Sequence, residues 1–206
     1  MTSPERAAAL QLGSNVIELI LPQRRPMLMV DNVTGFRATP KPRLEASRYI
    51  SANEIFFAGH FPGLHLWPGC LTIEGMGQTS ALLVALMAVR DGFEKSGRTA
   101  DAALDALRNL DLGFRMHPGF RQAEAEVFLA EMKKHRGSVS VGAAVDVKLL
   151  KPVYAAQRLD YVATIEHNVG DLMRFGVEAS VNGVVVASGT MTGARMYRTM
   201  ALIPEA

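Results

Sequence analysis

The stretch PGCLTIEGMGQTSALLVALMAVRDGF, Pro68 to Phe93, decides the reading of the fold. Proline suits the first turn of a helix, where its missing N–H would have had no partner. Glycine and small residues follow, and apolar positions then recur around Leu71, Met76, Leu82, Leu83, Leu86 and Val89. The spacing predicts one long helix, apolar over most of its surface. Such a helix is wrapped by other structure rather than laid on a surface, so a sheet curled around it is the natural partner.

Upstream, Asn15 with Glu18 three residues on predicts an N-cap and capping box, opening a short helix through about Leu21. Pro22 and Pro26 then enforce an extended passage. Met27 to Val30 and Leu44 to Ile50 read as two strands, the first buried, on either side of a Pro/Lys/Arg-rich turn at Thr39 to Arg43. Downstream, strands are expected at Ser138 to Leu149, Arg158 to Glu166, Leu172 to Val181 and Val184 to Met196. Asn182-Gly183 joins the last two as a two-residue hairpin, because both central positions of a type I′ turn need positive φ. Between helix and sheet the pattern is helical near Ala100 to Leu110 and ambiguous near Gln122 to Met132. The expected architecture is α+β, an antiparallel sheet wrapped around a long central helix. It forms one domain over 1–206 with an inserted or elaborated segment at about 94–137.

Composition narrows the function classes. The chain has 206 residues, 49% of them hydrophobic, enough to bury a sizeable core. A charged fraction of 20% and a formal net charge of +2 do not favour a nucleic-acid binder. One cysteine forms no intramolecular disulfide, and no Cys/His set has zinc spacing, so no metal is expected. Met1 to Leu12 lacks the apolar stretch of a signal peptide, and the longest apolar run, Leu82 to Val89, is far short of the ~20 residues that span a bilayer. A cytoplasmic protein without membrane insertion is expected.

The chemistry-bearing residues cluster where the first strands meet the helix: Gly59-His60-Phe61-Pro62-Gly63, then Pro68-Gly69-Cys70-Leu71, then Glu74 and Gln78. These stretches resemble the hot-dog 3-hydroxyacyl-acyl-carrier-protein dehydratases of fatty acid synthesis, as do Leu21-Pro22, Arg24, Pro26, Val30-Asp31 and Val147 to Pro152. The resemblance implies the hot-dog fold and a catalytic pair, His60 and Glu74, contributed by two subunits of a homodimer or of a higher assembly of dimers. It implies substrate carried on the phosphopantetheine of an acyl carrier protein, with no other cofactor. Glutamate at position 74 resembles the dehydratase-only branch, whereas Cys70 resembles the branch that also isomerises. Independently, β-elimination needs a base for the C2 proton and an acid for the departing C3 hydroxide. Histidine serves as base near neutral pH, and a carboxyl group on an apolar helix can stay protonated long enough to donate. The N–H groups of Gly69 and Cys70, at the helix N-terminus, are placed to receive charge on a thioester oxygen.

Each residue also has a plainer reading. A lone histidine in an apolar segment is usually a hydrogen-bonded core residue; the surrounding motif is what favours catalysis for His60. Gln78, one turn beyond Glu74, supports it by a hydrogen bond or satisfies another buried group. Cys70 reads as a small buried hydrophobe, and Met27, Leu28 and Met29 as core. Phe61, Pro62 and Trp67 are assigned to a substrate tunnel that Trp67 reshapes, with His65 as a competing histidine. Arg115, Arg121, Lys133, Lys134 and Arg136 dock an acidic carrier or are solvated surface charges. A hot-dog thioesterase and a non-catalytic acyl-binding scaffold are the alternatives, told apart by whether free acid, enoyl thioester or nothing is formed.

Overall fold

A computed structural model of the chain describes residues 8–135 and 138–197. The strands are β1 (Ala8–Leu12), β2 (Asn32–Arg37), β3 (Arg43–Tyr49), β4 (Ser138–Leu149), β5 (Arg158–Val169), β6 (Leu172–Val181) and β7 (Val184–Tyr197). They form one sheet in the order β1-β2-β3-β5-β6-β7-β4, with every pairing antiparallel. Helices α1 (Ser14–Ile20), α2 (Gly69–Lys95), α3 (Ala100–Phe114) and α4 (Gln122–His135) complete the described elements.

Helix α2 is the predicted central helix. Leu82, Leu83, Leu86, Val89 and Phe93 are buried together with Leu44, Leu159, Tyr161, Ala163 and Val177 of the sheet. Removing such a side chain from water contributes about 1.5–3 kcal/mol, so this face dominates the packing. By length and composition α2 could cross a membrane, but 56% of its most apolar window is buried inside the fold, as a core helix requires. Close approach explains Gly75. A Cβ there would lie 2.4 Å from the Tyr161 ring and hydroxyl, so helix and sheet meet at that point without a side chain between them.

The strands after α2 follow the expected spans closely, and the hairpin turn has φ of 51° at Asn182 and 77° at Gly183, both positive as type I′ requires. The ambiguous segment is helical. Ala103, Ala106, Leu107 and Leu110 of α3, with Ala125 and Phe128 of α4, join the same core, so the segment is more than a solvated elaboration.

Upstream of α2, expectation and structure part in three places. The expected strand at Met27 to Val30 is not one: Arg25 to Met27 form a turn and the neighbouring strand starts at Asn32. Leu28, Met29 and Val30 are buried as predicted, but Met27 is 45% exposed. Side chains take the backbone groups a ladder would have used: the Leu28 carbonyl accepts from Arg48, and the Met29 N–H donates to Gln78. Asn15 is not an N-cap. Gly13 occupies that position, and its N–H is satisfied from afar by Asp111 Oδ1 at 2.8 Å. Strand β1, in the N-terminal stretch, had no expectation attached to it.

Candidate active site

Gly59-His60 follows a 3₁₀ turn, Ile55–Ala58, whose entry is Glu54 and whose exit hydrogen bond runs from the His60 N–H to the Phe56 carbonyl at 3.0 Å. The His60 ring stacks on Phe61 with centroids 4.3 Å apart, across a cis peptide bond. His60 Nδ1 lies 3.0 Å from the Leu66 carbonyl oxygen. A carbonyl only accepts, so Nδ1 carries the hydrogen of this bond, and in the neutral ring the lone pair is on Nε2.

His60 faces a cavity of about 280 Å³ lined also by Trp67, Gly69, Thr72 and the Leu149 to Val153 segment that ends β4. Gly69 is there because a Cβ would lie 2.3 Å from Leu149 Cδ1. Gly69 and Cys70 begin α2, with Pro68 as N-cap, so their N–H groups have no acceptor one turn earlier. Cys70 is exposed, which corrects the buried-hydrophobe reading: in the first turn of α2 it is Leu71 and Thr72 that face inward, and Cys70 lies on the other side of the helix. Trp67 is buried and lines the cavity. Phe61, 50% exposed, and Pro62, also exposed, stand outside it. His65 stacks on Phe57 at 5.0 Å and is not among the cavity residues.

Glu74, partly buried, is held by Gln78, whose Nε2 donates to Glu74 Oε1 at 2.8 Å. The same amide also donates to the Met27 carbonyl at 2.6 Å and accepts from the Met29 N–H at 2.7 Å. Both readings of Gln78 therefore hold at once. It is 1% exposed, and fixes the Glu74 carboxylate to the buried loop. Within one chain no hydrogen bond joins His60 to Glu74, and Glu74 does not line the His60 cavity.

Of the basic residues assigned to carrier docking, Arg115 and Arg121 are the two whose side chains are described. Arg115 is paired with Asp111 at 2.5 Å and Arg121 with Glu124 at 2.7 Å. Arg115 lines a larger, polar cavity of about 510 Å³ between α1, α3 and the β2–β3 side, which contains neither His60 nor Glu74. Lys133 and Lys134 fall in the last turn of α4, but their side chains, like the whole of Arg136, lie outside the described residues.

Two residues near the site escaped the sequence reading. Arg48 is 1% exposed and Tyr161 is fully buried with no hydrogen-bond partner for its hydroxyl. Burial pushes the Tyr161 hydroxyl pKa up, Arg48 opposes this and Asp31 adds to it. The signal for Arg48 was available: Leu44, Ala46 and Arg48 alternate onto one face of β3, which puts a charge on the core side.

A family model described as a FabA-like domain matches residues 21–157, about two-thirds of the chain, including His60, Gly69, Cys70, Glu74 and Gln78. The chain belongs to the FabA-like family. It is 32% identical over 134 residues to a 3-hydroxyacyl-[acyl-carrier-protein] dehydratase FabZ of Pseudothermotoga lettingae, covering 65% of this chain and 86% of that one. To the protein of the same name from Polynucleobacter necessarius it is 28% identical, over 86% of this chain and 89% of the relative. A third, from Anaeromyxobacter, is 44% identical over 39% of this chain and 50% of its own length. Among solved structures, the dehydratase heterocomplex ApeI:P of Xenorhabdus doucetiae superposes with a TM-score of 0.51 at 13% identity, covering 89% of this chain and 92% of that one. At that identity it speaks for the fold alone, and the fold is the hot-dog arrangement. In this FabA-like chain α3 and α4 lie within the matched span, packed on α1 and the C-terminal half of α2.

Proposed function

We propose that this FabA-like protein removes water from a 3-hydroxyacyl thioester carried on acyl carrier protein, giving the trans-2-enoyl thioester for fatty acid or related synthesis. The thioester oxygen accepts from the N–H groups of Gly69 and Cys70, which strengthens C2 as an acid. His60 Nε2 takes the C2 proton; the bond from Nδ1–H to the Leu66 carbonyl fixes the ring's orientation. Glu74 gives its carboxyl proton to the C3 hydroxyl, which leaves as water as the C2–C3 double bond forms. Gln78 occupies Oε1, so Oε2 is the oxygen free to carry that proton. The site needs no metal or further cofactor beyond the carrier's phosphopantetheine arm, and the chain works as a single dehydratase unit in the cytoplasm.

The observation that carries this reading is the separation of the pair. His60 faces a cavity at the end of edge strand β4, and Glu74 is held apart from it. Among the described residues, strand β4 pairs only with β7, and it exposes Val145 and Leu149. A second copy docked along that edge would cover those residues and present its own Glu74 to His60. Incubating the protein with 3-hydroxyacyl thioesters of several lengths, on carrier protein and on coenzyme A, and weighing the products tests the reaction. Loss of one water is expected, and His60→Ala and Glu74→Gln each lower turnover by about 100-fold or more while remaining folded. Free acid as product would make the protein a thioesterase, and near-normal turnover in either variant would remove that residue from the mechanism.

A further inference from the structure

We infer that Arg48 is a positioning residue that holds both proton-transfer groups in place, an inference that rests on the dehydratase reading above. Arg48 lies on β3 with its side chain 1% exposed. Its Nη1 donates to the Leu28 carbonyl at 2.9 Å and stands 3.6 Å from Asp31 Oδ1. Its Nη2 donates to Glu54 Oε1 at 2.7 Å. The guanidinium carbon sits 5.3 Å from the centre of the Trp67 ring.

Those contacts tie together three segments, and each leads to the chemistry. Leu28 stands between Met27 and Met29, whose carbonyl and N–H bracket Gln78, and Gln78 holds Glu74. Glu54 is the entry to the 3₁₀ turn whose exit is hydrogen-bonded to the His60 N–H. The Trp67 ring packs edge-on against Phe56 at 5.9 Å and Phe57 at 6.1 Å, its backbone N–H donates to the Val153 carbonyl, and it follows Leu66, the partner of His60 Nδ1. A planar fork of donors can hold a carbonyl and a carboxylate at once in fixed directions. An apolar side chain of similar size would fill the volume and fix neither.

Arg48 touches no reacting atom in this arrangement, so its removal should cost turnover by misplacing the groups that do. Displacement by about 1 Å far from the chemistry can cost about 100-fold in rate. The test compares wild type with Arg48→Met, Arg48→Lys and Glu54→Ala, using a 3-hydroxyacyl pantetheine thioester and heteronuclear NMR of the His60 ring. Arg48→Met is expected to fold, to lose about 100-fold in kcat with KM within about threefold, and to lose the single Nδ1–H tautomer of His60. Arg48→Lys, keeping the charge and one donor, recovers part of both. Unchanged kcat together with an unchanged His60 tautomer overturns the inference, as does a loss confined to KM or one that merely tracks the unfolded fraction. If Arg48→Met does not fold, Glu54→Ala decides by the same readings, since it cuts only the link to the His60 turn. The NMR signature needs no substrate. A wild type that folds but dehydrates nothing therefore overturns the function reading, while the tautomer still judges Arg48.

Discussion

Gln78 carries two duties in one amide, and its replacement should reveal both. Gln78→Ala leaves the buried Met29 N–H and Met27 carbonyl without their partner, a loss of about 1–3 kcal/mol in denaturant unfolding. It also frees Glu74, so kcat should fall by about tenfold or more even at temperatures where the variant is fully folded. Wild-type stability and turnover together would show that neither bond matters. Tyr161 runs the other way. Its buried hydroxyl has no partner and its pKa is raised, so the folded state favours the neutral phenol. Stability tied to that group is complete below the unfolded tyrosine pKa of about 10 and declines as pH rises above it. Tyr161→Phe is expected to be neutral or stabilising near pH 7 and to flatten the decline above about pH 10; a marked destabilisation at neutral pH would mean the hydroxyl is bonded in solution. At this scale His60, Glu74 and Gln78 stood out in the sequence because motif and spacing single them out, and the Gln78–Glu74 hydrogen bond is present as the spacing allowed. Tyr161 did not stand out, since a tyrosine in a strand reads the same whether its hydroxyl is satisfied or stranded.

Among the elements, α3 and α4 are joined by a device confined to one side chain. Asn109, 3% exposed, accepts from the Arg121 N–H at 2.8 Å and donates to the Arg121 carbonyl at 2.6 Å, closing the loop between the helices. Asn109→Ala unpairs both groups and should cost about 1–3 kcal/mol, with faster amide exchange across Arg121 and the start of α4. Unchanged exchange there would contradict the account. The strands after α2 could be read from the sequence because each is a long alternating run ended by turn residues. The start of the chain could not. Met27 to Val30 is an apolar run, and an apolar run buried by side-chain hydrogen bonds from Gln78 and Arg48 looks in sequence like one buried in a ladder. The α1 cap failed for a related reason: Asp111, 98 residues away, does what Asn15 was expected to do locally.

For the molecule as a whole, we propose a dehydratase whose site is completed by a second copy of the chain. One chain brings His60 to a cavity at the β4 edge and holds Glu74 elsewhere; in the proposed mechanism each is therefore half of a site. Hot-dog architecture and FabA-like membership were legible from one long apolar helix and the residues at its start. The proposal that two copies share a site comes from the resemblance, because no periodicity within a chain encodes contact with another. The most direct measurement mixes the two inactive variants, His60→Ala and Glu74→Gln, under conditions where subunits exchange. Random exchange makes about half of the dimers mixed, each with one intact site of two, so turnover should return to roughly a quarter of wild type. Mixed dimers that form and stay inactive, or a wild-type monomer with full activity, would contradict the shared site.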